Sequence, residues 1–207
     1  MHSRGIVTVF DSDPLRFHPR CYYRPDADSP TETWPALIAA VTDLGGSITG
    51  AHRTWLDPSG RDKAPINSPR RAMGHLLGHG VRFGVARDVM AAGEGIETML
   101  SLRSVLPTLP MVAALSANHL AALLLPPTVR RLYVARDADP AGDAAMASLC
   151  NRADVIGIEV GSLSPCFDDF NEDLRRLGVE RLRTSVRRQL APQDLVRFRV
   201  FETTATG

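Results

Sequence analysis

The sequence predicts an α/β fold: a parallel sheet with helices on both faces, preceded by a small β-rich subdomain. Two apolar runs, residues 89–92 and 132–135, each lead into acidic residues and are each followed by a helical pattern. From 88 to 178 strand-like and helix-like stretches alternate, as right-handed βαβ crossovers require. From 34 to 87 the pattern is strand, turn, strand, followed by basic residues and prolines.

Residues 1–33 read as a lead-in segment that opens with a β-like run at 6–10 and then collects Asp, Pro, Ser and aromatic residues. His18 has no partner at ligand spacing and reads as a surface or packing histidine. The basic β-rich subdomain, 34–87, pairs a strand at 35–41 with one at 48–56 across Asp43-Leu44-Gly45-Gly46-Ser47, where the glycines suit a tight reversal. Alternation puts His52 and Thr54 on one face of the second strand and Arg53 and Trp55 on the other. His75 and His79 are four apart, but Gly74, Gly78 and Gly80 weaken any helix there and no third ligand accompanies them. A strand at 81–85 joins this part to the next, with the boundary near Arg87.

In the 88–178 unit we expect helices at 97–106, 118–125 and 141–152 and strands at 111–116, 131–135 and 155–160. Ser116 or Asn118 suits the second helix as a cap, and Pro140 starts the third. Glu94 follows the first acid-tipped strand; Asp137 and Asp139 follow the second. Carboxyl ends of parallel strands are where ligands bind in open α/β sheets. Carboxylates gathered there repel one another unless a cation neutralises them, and such hard oxygen ligands suit Mg²⁺ or Mn²⁺. Glu97 and Asp143, in the first turns of their helices, are ordinary there.

Glu94-Gly95-Ile96-Glu97-Thr98, followed by Asp137-x-Asp139-x-x-Gly142, resembles the Toprim domain shared by bacterial primases, topoisomerases and some nucleases. The resemblance covers residues 88 to 177. The stretch Gly46…Gly50…Lys63-x-Pro65-Ile66-Asn67-Ser68-Pro69 is similar to the region ahead of the Toprim unit in replicative primases, where it lines the nucleic-acid groove; here one extra residue separates the lysine from the asparagine. Asp169 and Asn171 match the Asp-x-Asn-Asp element that closes primase-type Toprim units, with Glu172 where aspartate is commoner; an N-terminal helix cap explains this acidic cluster equally well.

The resemblance, which extends to primase-like proteins of phages, plasmids and integrating elements, implies RNA primer synthesis from NTPs on single-stranded DNA. Glu94, Asp137 and Asp139 would be catalytic, and Asp137, Asp139, Asp169 and Glu94 would hold Mg²⁺ or Mn²⁺. Arg53, Lys63, Arg70 and Arg71 cluster in one segment of a chain of net charge +1 and are the expected nucleic-acid contacts. A metal-dependent nuclease and a non-catalytic nucleic-acid or protein-binding module use the same features. The sequence shows no Cys quartet and no G-x-x-x-x-G-K-[ST] motif, so a zinc-binding or helicase partner is expected.

Composition is that of a packed globular protein, with 44% hydrophobic and 23% charged residues. Lys63 is the sole lysine among 24 basic residues, a bias that a GC-rich genome explains as well as phosphate recognition does. The three cysteines are far apart and form neither a disulfide framework nor a zinc ribbon. With no apolar run long enough to span a membrane and no convincing signal segment, a cytoplasmic, membrane-free location is expected. Residues 179–207 supply a basic amphipathic run, 181–190, that reads as a solvated helix face, and a tail from Phe201.

Overall fold

The structure, a computed structural model, describes Ile6, residues 14–136 and residues 140–198. The first sheet is an antiparallel meander of β1 (Leu15–Tyr23), β2 (Glu32–Thr42), β3 (Ile48–Trp55) and β4 (Arg70–Gly74), in that order. The β2–β3 reversal forms as expected: Gly46 takes a φ of 84°, and the Asp43 carboxylate accepts the Ser47 N–H at 2.9 Å. On β3 and β4, Gly50 lies opposite Gly74, and a Cβ on either would run into a backbone carbonyl oxygen of the facing strand.

Part of the expected lead-in is therefore a full strand of the sheet. Its signal is weak because Pro19 interrupts it. β1 accommodates the proline by lying at the sheet edge, with a register shift between His18 and Cys21, where a missing N–H leaves no ladder bond broken. Apart from the buried Ile6, the β-like run at 6–10 lies outside the described residues.

The second sheet has the order β5-β7-β6-β8-β9, formed by β5 (Val81–Phe83), β6 (Val89–Gly93), β7 (Met111–Ala113), β8 (Arg131–Ala135) and β9 (Glu159–Leu163). Strands β7, β6, β8 and β9 are parallel, and β5 pairs antiparallel with β7. The strand expected to join the two parts is thus an edge of this second sheet. A bridge between Thr42 and Gly80 stitches the sheets together just before it.

Helices cover both faces of the second sheet, because β6 and β8 are buried on both sides and their side chains alternate. Ala91, Tyr133 and Ala135 share a core with residues of α1 (Ile96–Arg103), α4 (Phe170–Leu177) and α5 (Val179–Arg187). Met90, Ala92, Leu132 and Val134 pack with residues of α2 (Ala117–Ala121) and α3 (Pro140–Val155). Leu15, Ala39 and Val41 of the first sheet join the α1-side core, so one apolar cluster spans both sheets. Each large side chain buried there contributes roughly 1.5–3 kcal/mol. Ser116 caps α2 by accepting the His119 N–H at 3.2 Å.

One local expectation fails, and one helix was not expected. The strand placed at 155–160 is displaced to Glu159–Leu163, because Val155 and Ile156 finish α3 and the following turn with their side chains exposed. A short helix, α6 (Pro192–Arg197), had no clear sequence signal; a buried carboxylate, Asp194, holds it down.

Candidate functional site

β6 and β8 are hydrogen-bonded neighbours with Gly93 opposite Ala135, so Glu94 and Arg136 leave adjacent strands at the same level. Glu94 is fixed from behind by its carbonyl, which accepts the Leu115 N–H at 2.8 Å, and α1 starts two residues later. Arg136 is tied to β9 through its N–H (2.9 Å to the Leu163 carbonyl) and pairs with Asp143 on α3. Asp137 and Asp139, expected between Arg136 and α3, lie outside the described residues.

The acidic cluster at 168–173 divides into distinct roles. Asp169 is the N-cap of α4, accepting the Glu172 N–H at 2.7 Å. Asp173 is fully buried and accepts the N–H groups of Cys166 and Phe167 at 2.8 and 2.9 Å, which fixes the loop ahead of the cap. Asn171, 3% exposed, donates from Nδ2 to Ser101 Oγ at 3.1 Å and docks α4 on α1. The capping role therefore holds for Asp169, and the same residue also reaches the groove described next.

Glu94 and Asp169 line a groove of about 470 Å³ between the two sheets. Its other wall is the inner face of the first sheet, with His52 and Thr54 from β3, Arg70 from β4 and Arg61 and Lys63 from the β3–β4 connection. Arg70 Nη2 crosses the groove to Glu97 Oε2 at 3.3 Å, linking β4 to α1. Both partners are partly solvated, so the pair stabilises by about 1 kcal/mol at most. Burial pushes the His52 imidazole down to about 4, with the nearby Arg70 charge adding to the effect, so it is neutral at ordinary pH. Its Nδ1 is buried without a hydrogen-bond partner. His52 was legible in sequence as a residue on one face of β3, yet nothing there marked that face as a groove wall.

The four expected nucleic-acid residues do not share a surface. Lys63 and Arg70 are on the groove, whereas Arg53 and Arg71 are on the reverse face of the first sheet, directly opposite each other across β3 and β4. Arg53 stacks on Trp55 and Arg71 on Tyr23, each with its guanidinium carbon 4.9 Å from the ring centroid. Arg71 also donates to the carbonyls of Arg24 and Pro25 at 2.6 and 3.0 Å. His79 accepts or donates at Nδ1 with Thr49 Oγ1 (2.8 Å) and sits near the His75 carbonyl, a turn-stabilising role.

Among the described residues no group of three or more His, Cys, Asp and Glu side chains could hold a metal ion, and no helix is long and apolar enough to cross a membrane. Residues 89–180 match the model of the Toprim domain, and residues 1–83 match that of a domain of unknown function (DUF7146). No functionally curated protein matches the chain in sequence. Among solved structures, a DNA primase domain from Pseudomonas aeruginosa is similar at 15% identity and a TM-score of 0.61, over 96% of this chain and 73% of that one. The zinc-binding and RNA polymerase domains of Aquifex aeolicus primase are similar at 20% identity and a TM-score of 0.58, over 95% of this chain and 56% of that one. The primase fragment of the bacteriophage T7 primase-helicase follows at 13% identity and a TM-score of 0.56, over 88% of this chain and 78% of that one. This chain thus spans little more than half of the Aquifex protein it matches. Residues 89–180 therefore form a Toprim domain, and the chain shares the fold of these primase domains.

Proposed function

We propose that the chain is a primase-like nucleotidyltransferase that builds RNA primers from NTPs on single-stranded DNA with Mg²⁺ or Mn²⁺. The observation that carries this reading is the groove in which Glu94 and Asp169, from the Toprim domain, face Lys63 and Arg70, from the first sheet. Carboxylates are the hard oxygen donors such a cation needs, and Glu94, Asp169, Asp137 and Asp139 would hold it. When bound, the cation supplies charge neutralisation at the transferring phosphate and lowers the pKa of the attacking 3′-hydroxyl.

The chain's own residues do the rest. Lys63 and Arg70 bind backbone or nucleotide phosphates from the wall facing the acids. Glu94 accepts the proton of the attacking hydroxyl. Neutral His52, on the same wall as Arg70, adds no charge to the groove across physiological pH. Holding a template and two nucleotides together is largely an entropic problem, and the 207 residues contain no zinc-ligating Cys quartet and no P-loop motif. We therefore expect initiation to require a zinc-binding or helicase partner. Support comes from the T7 match, which is part of a primase-helicase, and from T7 primase domains solved with an RNA/DNA hybrid and dTTP.

The test is incubation with single-stranded DNA, labelled NTPs and Mg²⁺ or Mn²⁺, with and without candidate partners, scoring extension and cleavage together. Labelled RNA that disappears in Asp139→Ala is the expected result. Cleavage without extension assigns the groove to a nuclease. Inactivity with every partner, alongside intact metal binding, assigns it to a binding module. Robust synthesis on bare template by the chain alone removes the partner requirement.

A further inference from the structure

We infer that the reverse face of the first sheet carries a second nucleic-acid site, which takes a backbone phosphate of a single strand and stacks one of its bases. A concave surface of about 450 Å³ there is lined by Tyr22, Arg24, Thr31, Arg53, Trp55 and Arg71. Three of these six side chains are guanidinium groups and none is a carboxylate, so the site is a positively charged surface rich in donors. The inner groove, by contrast, mixes acids with bases.

The arginines are held in place by the sheet. Register sets Arg53 opposite Arg71, an arrangement of like charges that is unfavourable unless an anion or a π-face compensates it. Both guanidinium planes lie on aromatic rings, Arg53 on Trp55 and Arg71 on Tyr23, and those rings are themselves packed edge to face at 5.0 Å. Stacking fixes the planes without using up the N–H groups along their edges. Arg71 spends part of its donor set on the Arg24 and Pro25 carbonyls, which anchors the β1–β2 loop that brings Arg24 and Thr31 to the site.

Two donors beneath this surface lack acceptors: Arg53 Nε and Trp55 Nε1 are buried and make no hydrogen bond, and Trp55 as a whole is 1% exposed. Buried donors left unmatched are costly, and an oxyanion is the acceptor that clustered guanidinium groups favour. Tyr22, 73% exposed on the rim, offers an open ring for a base. Phosphate-binding guanidinium groups beside an exposed aromatic are the pattern of single-strand recognition, in which stacking tolerates any sequence. The site stands on the opposite side of the sheet from the groove and does not depend on the reaction proposed there.

Trp55 reports on this site directly, since Trp34 is the only other tryptophan. The experiment titrates an oligo(dT) strand into the Trp34→Phe chain in EDTA and follows tryptophan fluorescence, with inorganic phosphate and dTMP as separate arms. The expected result is a saturable change that weakens roughly ten-fold in Arg53→Gln and Arg24→Gln, as loss of a charge-assisted hydrogen bond predicts. The same signal is expected to persist in Lys63→Gln/Arg70→Gln. Arg24 is exposed, so its variant tests the site even where Arg53→Gln fails to fold. The inference is overturned by titrations that are unchanged in Arg24→Gln. It is also overturned by equal losses in both variant sets, which would mean one continuous surface. Saturation by phosphate or dTMP at the same concentration as the strand would reduce the site to a small-anion pocket.

Discussion

At the amino ends of β6 and β8, Asp88, Arg131, Asp194 and Arg197 are closed into ion pairs and hydrogen bonds. At the carboxyl ends, Glu94 and Asp169 stand on the wall of a groove whose facing wall carries Arg61, Asp62, Lys63 and Arg70. Asp194 accepts from Tyr133 Oη at 2.6 Å and from Arg131 Nη1 at 2.8 Å, Arg131 also reaches Glu159 at 2.7 Å, and Arg197 holds Asp88 at 2.7 Å. The Arg197 hydrogen bond brings the Asp88 carboxyl down to about 2. Burial, and then the bond to Asp194, push the Tyr133 phenol up to about 12. Asp and Arg serve both ends. Both ends line a cavity, about 290 Å³ at the clamp and about 470 Å³ at the groove, and what separates them is that the groove is walled by both sheets.

The largest expected effect lies at the clamp. Asp194→Ala strands the Arg131 charge and the Tyr133 hydroxyl in a buried setting and is expected to destabilise the fold by about 3–5 kcal/mol, measured by denaturant unfolding. Mn²⁺ binding by the folded fraction should be unchanged. Loss of that binding without loss of stability would couple the two ends and break the comparison.

The clamp's Tyr133 and the groove's His52 should also fail at opposite extremes of pH. Tyr133 has a raised pKa, so its contribution is complete below an unfolded tyrosine's value of about 10. It is lost as pH rises through about 12. His52 has a lowered pKa, so its contribution is complete above an unfolded histidine's value of about 6.5. It is lost as pH falls through about 4. Each limb can be no steeper than about 1.4 kcal/mol per pH unit for one proton. Thermal melts of Tyr133→Phe should flatten only the alkaline limb, and those of His52→Gln only the acid one.

Smaller still is the effect of the groove's basic wall. Replacing Lys63 or Arg70 by Gln should change stability by less than about 1 kcal/mol. Each should lower the salt slope of single-strand binding by roughly 0.7 in anisotropy titrations. Unchanged slopes would move the binding surface away from the groove.

Much of this was readable in the chain, for identifiable reasons. β8 and the β2–β3 hairpin carry dense apolar or glycine-marked signals, and Glu94 is found by counting from an apolar run to the first acid. The division of the basic cluster was also implicit. Arg70 and Arg71 are adjacent on a strand and must face opposite ways, just as His52 and Arg53 do, yet the register that aligns Arg71 with Arg53 is a tertiary fact. β9 was misplaced because Leu163 is its one fully buried residue, so the exposed Val155 and Ile156 outweighed it. α6, six residues long, has too few turns for periodicity to register and is defined by contacts of Asp194 with a distant strand.

The central claim, that the carboxyl edge rather than the amino edge is the working end of the sheet, is tested most directly by calorimetric titration of Mn²⁺ into the wild-type chain and into Asp137→Ala/Asp139→Ala. The account predicts saturable binding in the first and none in the second, with both folded. Equal binding in the two would contradict it.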